Sequence, residues 1–476
     1  MNRRQVDQYR VLFPKEGKME VDAMVYASPS LLMEDESIRQ LCNAASLPGV
    51  KKVLATPDIH TGYGVPIGSV VAMPEEIIPA AVGYDVNCGM RLLITPLSLD
   101  DIKPELKIVT DSIRRDVPLG EGRKNIQMGK KELKSVLEKG VRGMKEWAPE
   151  HNQLKKVWNE IDFDSDKDGI EDGGGMEGRS SAVSHKARDR GKNQIGTLGG
   201  GNHFIEIQLV KSVADEQIAG AFGIRKGQVL VMIHSGSRGL GHQIGSDYMP
   251  LAAGTSKAPD KKLGFFKIDS QQGKDYIAAM NAAANYAFVN RQIMAMFVRK
   301  NFRYYFGDIP MNMIYDVPHN MAKREKHNGE TYWVHRKGAT RAFPGKLMRG
   351  TKYERTGQPV IIPGSMGTAS YLLAGCDSGA ESLFSVNHGA GRTMSRRAAA
   401  GKVRRRDGKV IKPGRITEQR FRETMEGVYL VCEDKHSIRE EAPDAYKDID
   451  EVIRIVTGAG LAKLVARMTP LAVLKG

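Results

Sequence analysis

The amino-acid sequence predicts an α+β fold. Three observations carry that expectation: many short strand-like runs, glycine-rich loops between them, and a few long helical patterns that never alternate with strands in a βαβ rhythm. The chain has 476 residues, enough for two or three ordinary domains or one large one. Apolar and charged contents of 41% and 27% are those of a soluble globular protein.

Composition narrows the function classes. Met-Asn-Arg-Arg opens onto a polar segment and not onto the apolar region of a signal peptide. The most apolar stretch, residues 277–298, is interrupted by Asn281, Asn285, Asn290 and Arg291, which predicts a buried helix and not a membrane span. A cytoplasmic protein without membrane association is expected. The four cysteines, Cys42, Cys88, Cys376 and Cys432, are scattered with no Cys-x-x-Cys pair. A special cysteine is therefore expected to be a ligand or nucleophile and not half of a disulfide. Lys plus Arg exceed Asp plus Glu by 71 to 56, a net charge of +15, which suits a polyanionic partner such as nucleic acid.

Taken in order, residues 5–14 alternate as a strand and 37–47 read as a short helix. Thr56-Pro-Asp-Ile-His60 leads through a glycine-rich loop into a β-branched strand ending at Met73. In the following segment, 80–91, Asp85 and Cys88 stand three apart between glycines. On a turn both can face one point, as half of a metal site or as a capping aspartate beside a packed cysteine. Residues 103–160 are polar, lysine-rich and helix-patterned, most clearly over 126–147, and read as a peripheral helical region or insertion. Asp164-Ser-Asp-Lys-Asp-Gly169 imitates the start of an EF-hand, but Gly175 stands where the bidentate Glu belongs. A solvated acidic loop over 162–172 is expected instead.

Gly196-Thr-Leu-Gly-Gly-Gly-Asn-His-Phe-Ile-Glu206 puts three glycines in front of Asn202, His203 and Glu206. Glycines let backbone approach a ligand closely, although the same run suits a plain turn before the strand 204–210. On a regular strand of about 3.3 Å per residue, His203 would face away from Asn202 and Glu206. The chain is therefore expected to bend near 201–203. Residues 228–233 form a strand ending in His234, 274–300 a long helix, and 311–317 a strand ending at His319 and Asn320. Both histidines thus stand where an apolar strand stops, the usual gathering place of ligands. Residues 335–341 read as a basic turn. Residues 360–370 run from a strand into a small-residue loop with the composition of a phosphate cradle but no Walker lysine. Ser385-Val-Asn-His-Gly-Ala-Gly-Arg392 sets His388 at another glycine turn. The densest basic run follows, through Arg396, Arg397, Arg404, Arg405, Arg406 and Lys412, either a solvated face or an electrostatic platform for a phosphate backbone. A helix over 446–468 precedes Lys475.

Assembled, Asp85, Cys88, His203, His234 and His319 can serve two divalent ions bridged by one thiolate, with positions left for phosphate oxygens. Mixed S, N and O ligation admits Zn or Mn, and spacing does not choose between them. His388 is left over and suits a nucleophile, because a neutral imidazole nitrogen can attack an activated phosphoryl group. Lys475 can stabilise the charge that develops.

Seven blocks in one order, Pro57-Asp-Ile-His, Asp85-Val-Asn-Cys-Gly, Gly199-Gly-Gly-Asn-His-Phe, His234-Ser-Gly-Ser-Arg-Gly, Pro318-His-Asn, Pro363-Gly-Ser-Met-Gly-Thr and His388-Gly-Ala-Gly-Arg, together with Lys475-Gly, resemble the RtcB family of RNA-splicing ligases over essentially the whole chain. The resemblance implies a single large α+β domain over 1–476. It also implies a ligase dependent on GTP and two Mn²⁺ ions that joins an RNA 3′-phosphate or 2′,3′-cyclic phosphate to a 5′-hydroxyl in tRNA splicing or RNA repair. By the family pattern His388 forms a histidine-GMP intermediate, GMP passes to the RNA 3′-phosphate, and the 5′-hydroxyl displaces it. Asp85, Cys88 and His203 would hold one manganese, with Cys88 bridging to a second held by His234 and His319. The guanylate would be surrounded by Asn202, His203, Glu206 and Asn320, by the loop Pro363, Gly364, Ser365 and Met366, by Ser370, by the turn Gly389, Ala390 and Gly391, and by Tyr446 and Lys475. Arg190 and Arg238 are the candidates for RNA phosphates, and the family often uses an activating protein, archease.

Two segments depart from the pattern: residues 401–415, the longer and more basic part of the basic segment at about 392–415, and the acidic loop at 162–172. Two rival functions fit parts of the chain. A dinuclear metal phosphoesterase or nuclease acting on RNA needs the metal ligands but neither His388 nor Lys475, and a non-catalytic RNA-binding protein needs only the basic run.

Overall fold

Two twisted sheets flank the segments that carry these motifs. The computed structural model describes residues 2–403, 410–434 and 438–476; Arg404, Arg405 and Arg406 of the basic run lie outside the described residues. Among the described residues the first large sheet has seven strands in the order Arg4–Asp7, Arg10–Phe13, Ala23–Tyr26, Lys52–His60, Ile67–Met73, Glu330–Lys337 and Asn320–His327. Neighbours are antiparallel except Ala23–Tyr26 beside Lys52–His60. Residues 5–14 form not one strand but a hairpin of two. The expected basic turn at 335–341 is also corrected. It is the end of strand Glu330–Lys337 and the short strand Ala339–Arg341. Its polar side chains are buried with partners elsewhere in the chain: Arg336 donates to Glu325 Oε1 at 2.6 Å, and His335 Nε2 accepts from the Ile78 amide at 2.9 Å.

The second sheet runs Met313–Pro318, Gly89–Ser98, Gln228–Ser235, Phe204–Val213, Ala462–Lys475, Ser370–Gly375 and Pro359–Ile362, with Tyr429–Cys432 parallel to the end of Ala462–Lys475. Both of its faces are covered. In Gln228–Ser235, Val229, Val231 and Ile233 join the core on one side, while Leu230 and Met232 join the core on the other. That is why the strand reads as a continuous apolar run without polar alternation. The expected helix over 446–468 stops early. Residues Ile449–Gly458 are helical, and Ala462–Lys475 is a 14-residue strand held between two others. Pairing on both sides overrides a local pattern rich in Ala and Leu.

The helix Gln271–Phe306 spans 36 residues and is buried over most of its length. Among the described residues no helix is long and apolar enough to cross a membrane. The asparagines that interrupt its apolar run fasten neighbouring segments; Asn285 Oδ1, for example, accepts from the Met176 amide at 2.7 Å and its Nδ2 donates to the Leu137 carbonyl at 2.9 Å. The helices Leu106–Asp116, Lys130–Lys139 and Val141–Lys145 from the polar region 103–160 turn their apolar faces into the same core. This region also reaches the glycine motif, where the Gly120 amide donates to the Gly199 carbonyl at 2.9 Å.

The expected solvated acidic loop at 162–172 is corrected in part: Asp162, Asp164, Asp168 and Asp172 are exposed, but the segment is not a plain loop and two of its carboxylates are not solvated. Phe163–Asp168 is a helix, and Asp166 and Glu171 are buried. Arg299 grips both oxygens of Asp166, at 2.6 and 2.7 Å, and Lys323 pairs with Glu171. The basic partners come from residues more than a hundred positions away, so local composition could not reveal them.

Candidate active site

Register brings the motifs together. Gly89 pairs with Ser235 and with Pro318, His234 with Phe204, and Phe204 with Lys475. Ends of five strands therefore meet at one rim of the second sheet, and each predicted ligand stands on a strand end or the turn beside it. Asp85 and Cys88 precede Gly89–Ser98, His203 precedes Phe204–Val213, His234 is near the end of its strand, and His319 follows Met313–Pro318.

The five side chains converge as two triads that share a thiol: Asp85, Cys88 and His203, and Cys88, His234 and His319, with the ligand atoms of each triad within 4.8 Å of one another. Cys88 Sγ lies 3.3 Å from His203 Nε2 and 3.2 Å from His234 Nε2. His234 Nε2 is 3.2 Å from His319 Nε2, and His203 Nε2 is 2.8 Å from Asp85 Oδ2. Outer contacts aim the rings. His234 Nδ1 meets the Asn202 carbonyl at 3.0 Å and His203 Nδ1 the Leu198 carbonyl at 3.1 Å. A carbonyl accepts only from N–H, so His234 turns its Nε2 lone pair inward, and His203 Nε2 is left to face Asp85 and Cys88.

Burial holds His234 and His319 well below the usual imidazole range, so both are neutral. Burial, reinforced by Asp85, pushes the Cys88 thiol well above its ordinary value. Burial raises Asp85 too, but His203 outweighs it and holds the carboxyl at about 2. Neutral imidazole lone pairs, a carboxylate and a displaceable thiol proton packed around two points form a donor set that divalent transition-metal ions fit.

The expected bend at 201–203 is present. Gly201 adopts φ +71°, and a Cβ there would lie 2.7 Å from Arg396 Nη2. A left-handed residue immediately before Asn202 and His203 turns His203 toward Asp85, while Asn202, Phe204 and Glu206 all line the adjoining cavity.

His388 stands on the opposite wall, its ring 4.8 Å from that of His319 between centroids. Its Nδ1 donates to Asp58 Oδ2 at 2.6 Å and its backbone N–H reaches the same oxygen at 3.2 Å. Asp58 is fully buried. Burial raises its carboxyl, but the hydrogen bonds from His388 and Thr56 act against it and the carboxyl stays below the usual range. The proton on Nδ1 leaves Nε2 as the ring's lone pair. Gly391, at φ +78°, lets the turn after His388 pack on Asp58, where a Cβ would lie 2.3 Å from the Asp58 carbonyl oxygen.

Between these walls lies a cavity of about 410 Å³, within the range of nucleotide-sized pockets. Most of the predicted residues line it: Asp85, Cys88, His234, His319 and His388; Asn202, Glu206, Asn320, Tyr446 and Lys475; the loop 363–366; and the turn 389–391. Asn320 spans two loops, donating to the Asp85 carbonyl at 3.1 Å and accepting from the Gly338 amide at 2.8 Å. Burial holds Glu206 well above the usual carboxyl range and Lys475 below the usual lysine range.

Four predicted residues stand elsewhere. His203 reaches the ions' side and does not line the cavity. Ser370 is buried at the head of a strand, its Oγ accepting from the Gly364 amide at 3.3 Å, so it braces the small-residue loop from behind. Arg238 lies behind His203, and Arg190 is exposed on the helix His185–Gly191, donating to Gln243 Oε1 at 3.1 Å. Two residues that matter escape a reading of the sequence. Asp58 lies inside the motif Pro57-Asp-Ile-His, and its signal is the carboxylate that an imidazole nucleophile needs on its far nitrogen. Glu441 has no local signal. It binds Arg392 at 3.2 Å and Arg396 at 3.0 Å, accepts from Tyr446 OH and lies 3.6 Å from Lys475 Nζ. The head of the basic run, Arg392 and Arg396, therefore belongs to the cavity wall.

Comparison with known proteins gives a consistent likeness. The model of the family described as tRNA-splicing ligase RtcB matches residues 40–476. The chain is 42% identical to the tRNA-splicing ligase RtcB of Archaeoglobus fulgidus over 498 residues, covering 99% of this chain and 98% of the relative. It is 44% identical to that of Nanoarchaeum equitans over 496 residues, covering 99% of each. It is 41% identical to RNA-splicing ligase RtcB homolog 1 of Entamoeba histolytica over 460 residues, covering 92% of this chain and 83% of the relative.

Proposed function

The chain belongs to the RtcB family, and from that premise we propose that it is an RNA ligase that uses GTP and manganese to join an RNA 3′-phosphate or 2′,3′-cyclic phosphate to a 5′-hydroxyl, with tRNA splicing as its setting. One observation supports the reading most directly: His388, oriented by Asp58, shares one cavity with Asp85, Cys88, His234 and His319 of the two metal-ligand triads. A dinuclear hydrolase would use the triads but leave the His388–Asp58 pair without a task.

Asp85, Cys88 and His203 would hold one manganese, and Cys88, His234 and His319 the other. When bound, these ions supply neutralisation of phosphate charge. His388 Nε2 attacks the α-phosphorus of GTP, the nitrogen–phosphorus bond forms and pyrophosphate departs. Asp58 holds the Nδ1 proton throughout and stabilises the positive charge that grows on the ring. A 2′,3′-cyclic end is first opened by water to a 3′-phosphate; the guanylate then passes from His388 to the RNA 3′-phosphate, and the 5′-hydroxyl displaces GMP as the phosphodiester forms.

Glu206 and Lys475, both buried and both lining the cavity, pair an acceptor with a donor. That combination matches the N–H groups and carbonyl of a guanine edge. Glu441 keeps Lys475, Arg392 and Arg396 close together despite their like charge. Arg190 and Arg238 would meet RNA phosphates, and archease would be the activating partner.

Incubation with Mn²⁺ and α-labelled GTP tests the reading. An acid-labile, alkali-stable label on the wild type that is lost in His388→Ala is expected; an unlabelled wild type would sink it.

A further inference from the structure

Adjacent residues of the helix Gln271–Phe306, Asn290 and Arg291, touch every segment that carries a metal ligand. Arg291 is 0% exposed. Its Nη1 donates to the Asn87 carbonyl at 2.7 Å and the Ser235 carbonyl at 2.8 Å. Its Nε and Nη2 donate to Asp316 at 2.9 and 2.7 Å, and Nη2 also reaches Asn87 Oδ1 at 3.4 Å. Asn87 precedes Cys88, Ser235 follows His234, and Asp316 is on the strand that delivers His319. One guanidinium with all five hydrogens engaged thus ties together the segments of the triad Cys88, His234 and His319. It also bonds Asn87 in a left-handed conformation, φ +55°, which Asn tolerates better than most non-glycine residues.

Asn290 reaches the other triad. Its Oδ1 accepts from the Gly196 amide at 2.7 Å, and its Nδ2 lies 3.1 Å from Ser235 Oγ and 3.3 Å from the Gly236 carbonyl. Ser235 Oγ in turn donates to the Leu198 carbonyl at 2.7 Å, the same oxygen that orients His203. The Ser237 amide, one residue beyond Gly236, donates to Asp85 Oδ1 at 3.1 Å.

We propose that Arg291 and Asn290 are positioning residues of the two-ion site, Arg291 for the ion of Cys88, His234 and His319, and Asn290 for the ion of Asp85, Cys88 and His203. Lone pairs about 3 Å apart repel one another until a cation arrives, so the ligands need a rigid frame that exists beforehand. The buried helix is that frame. Lysine cannot replace Arg291, because a single ammonium on a flexible stem does not span three segments.

The proposal rests on the two-ion reading, and Mn²⁺ binding to the metal-stripped full chain, followed by calorimetry, separates the two. A wild type that takes up no Mn²⁺ overturns the two-ion reading and the brace with it. Against a wild type that binds two ions, Arg291→Lys is expected to weaken one ion about 10- to 100-fold and Asn290→Ala the other. In a His203→Ala background, which leaves the triad Cys88, His234 and His319 whole, Arg291→Lys weakens the remaining ion and Asn290→Ala leaves it unchanged. Arg299→Lys is the control for a merely structural role, since Arg299 is buried on the same helix but binds Asp166 and the Met311 carbonyl. Equal loss of Mn²⁺ affinity in Arg299→Lys at matched melting temperature overturns the proposal, as does unchanged affinity in Arg291→Lys. Should either helix variant fail to fold, Ser235→Ala cuts only the link from Asn290 to the Leu198 carbonyl and is expected to weaken the His203 ion alone. Wild-type affinity there overturns the assignment of Asn290.

Discussion

Asp58 Oδ2 accepts two hydrogen bonds from His388, one from ring Nδ1 at 2.6 Å and one from the backbone N–H at 3.2 Å. A single oxygen thereby fixes both the tautomer and the position of the imidazole. The lone pair that faces the cavity is a consequence of a residue 330 positions earlier in the chain.

Asp58→Asn keeps the shape but removes the charge and allows the wrong tautomer. Formation of the covalent guanylate should fall by about 10²-fold or more, while Mn²⁺ content stays at the wild-type level. A rate within about threefold of wild type, measured with α-labelled GTP, would remove Asp58 from the mechanism.

Cys88 belongs to both triads, so its loss should affect both ions. Cys88→Ala is expected to carry less than one Mn²⁺ per chain after dialysis, by elemental analysis, and to lose the thermal stabilisation that added Mn²⁺ gives the wild type. Retention of two ions contradicts a bridging thiolate.

Glu441 governs an acid transition. Burial pushes its carboxyl up, but Lys475, Arg396 and Arg392 outweigh that and hold it at about 2, below the ordinary 4.5. A depressed folded-state value contributes stability above pH 4.5 that is lost as pH falls toward 2, at about 1.4 kcal/mol per unit of difference. Glu441→Gln should therefore melt lower at pH 7 and show a flatter decline between pH 5 and pH 3. Parallel melting curves for the two proteins over that window would refute the assignment.

Two functions are expected of the basic segment. Arg396 lines the cavity, so Arg396→Ala should reduce guanylate formation as well as RNA binding. Neutralising the exposed Arg397 and Lys412 should leave guanylate formation intact and reduce the slope of RNA affinity against salt by about 0.7–0.9 for each RNA phosphate that they neutralise. An unchanged slope makes those two residues a solvated face.

Much of this site is legible in the chain. Asp85, Cys88, His203, His234 and His319 each stand at a strand end or glycine turn, and the bend at Gly201 follows from the requirement that Asn202, His203 and Glu206 serve one place. The α+β class follows from short strands without a βαβ rhythm. The tertiary structure decided what depends on partners far along the chain. It made 462–475 a strand because two neighbours pair with it, buried Asp166 because Arg299 crosses to it, and joined Arg392, Arg396, Tyr446 and Lys475 through Glu441. Local sequence records which groups can bind a metal or a phosphate, since that is a property of single side chains and short turns. Long-range pairing decides which charges are neutralised and which lone pairs face the same point, because those are properties of the register between strands.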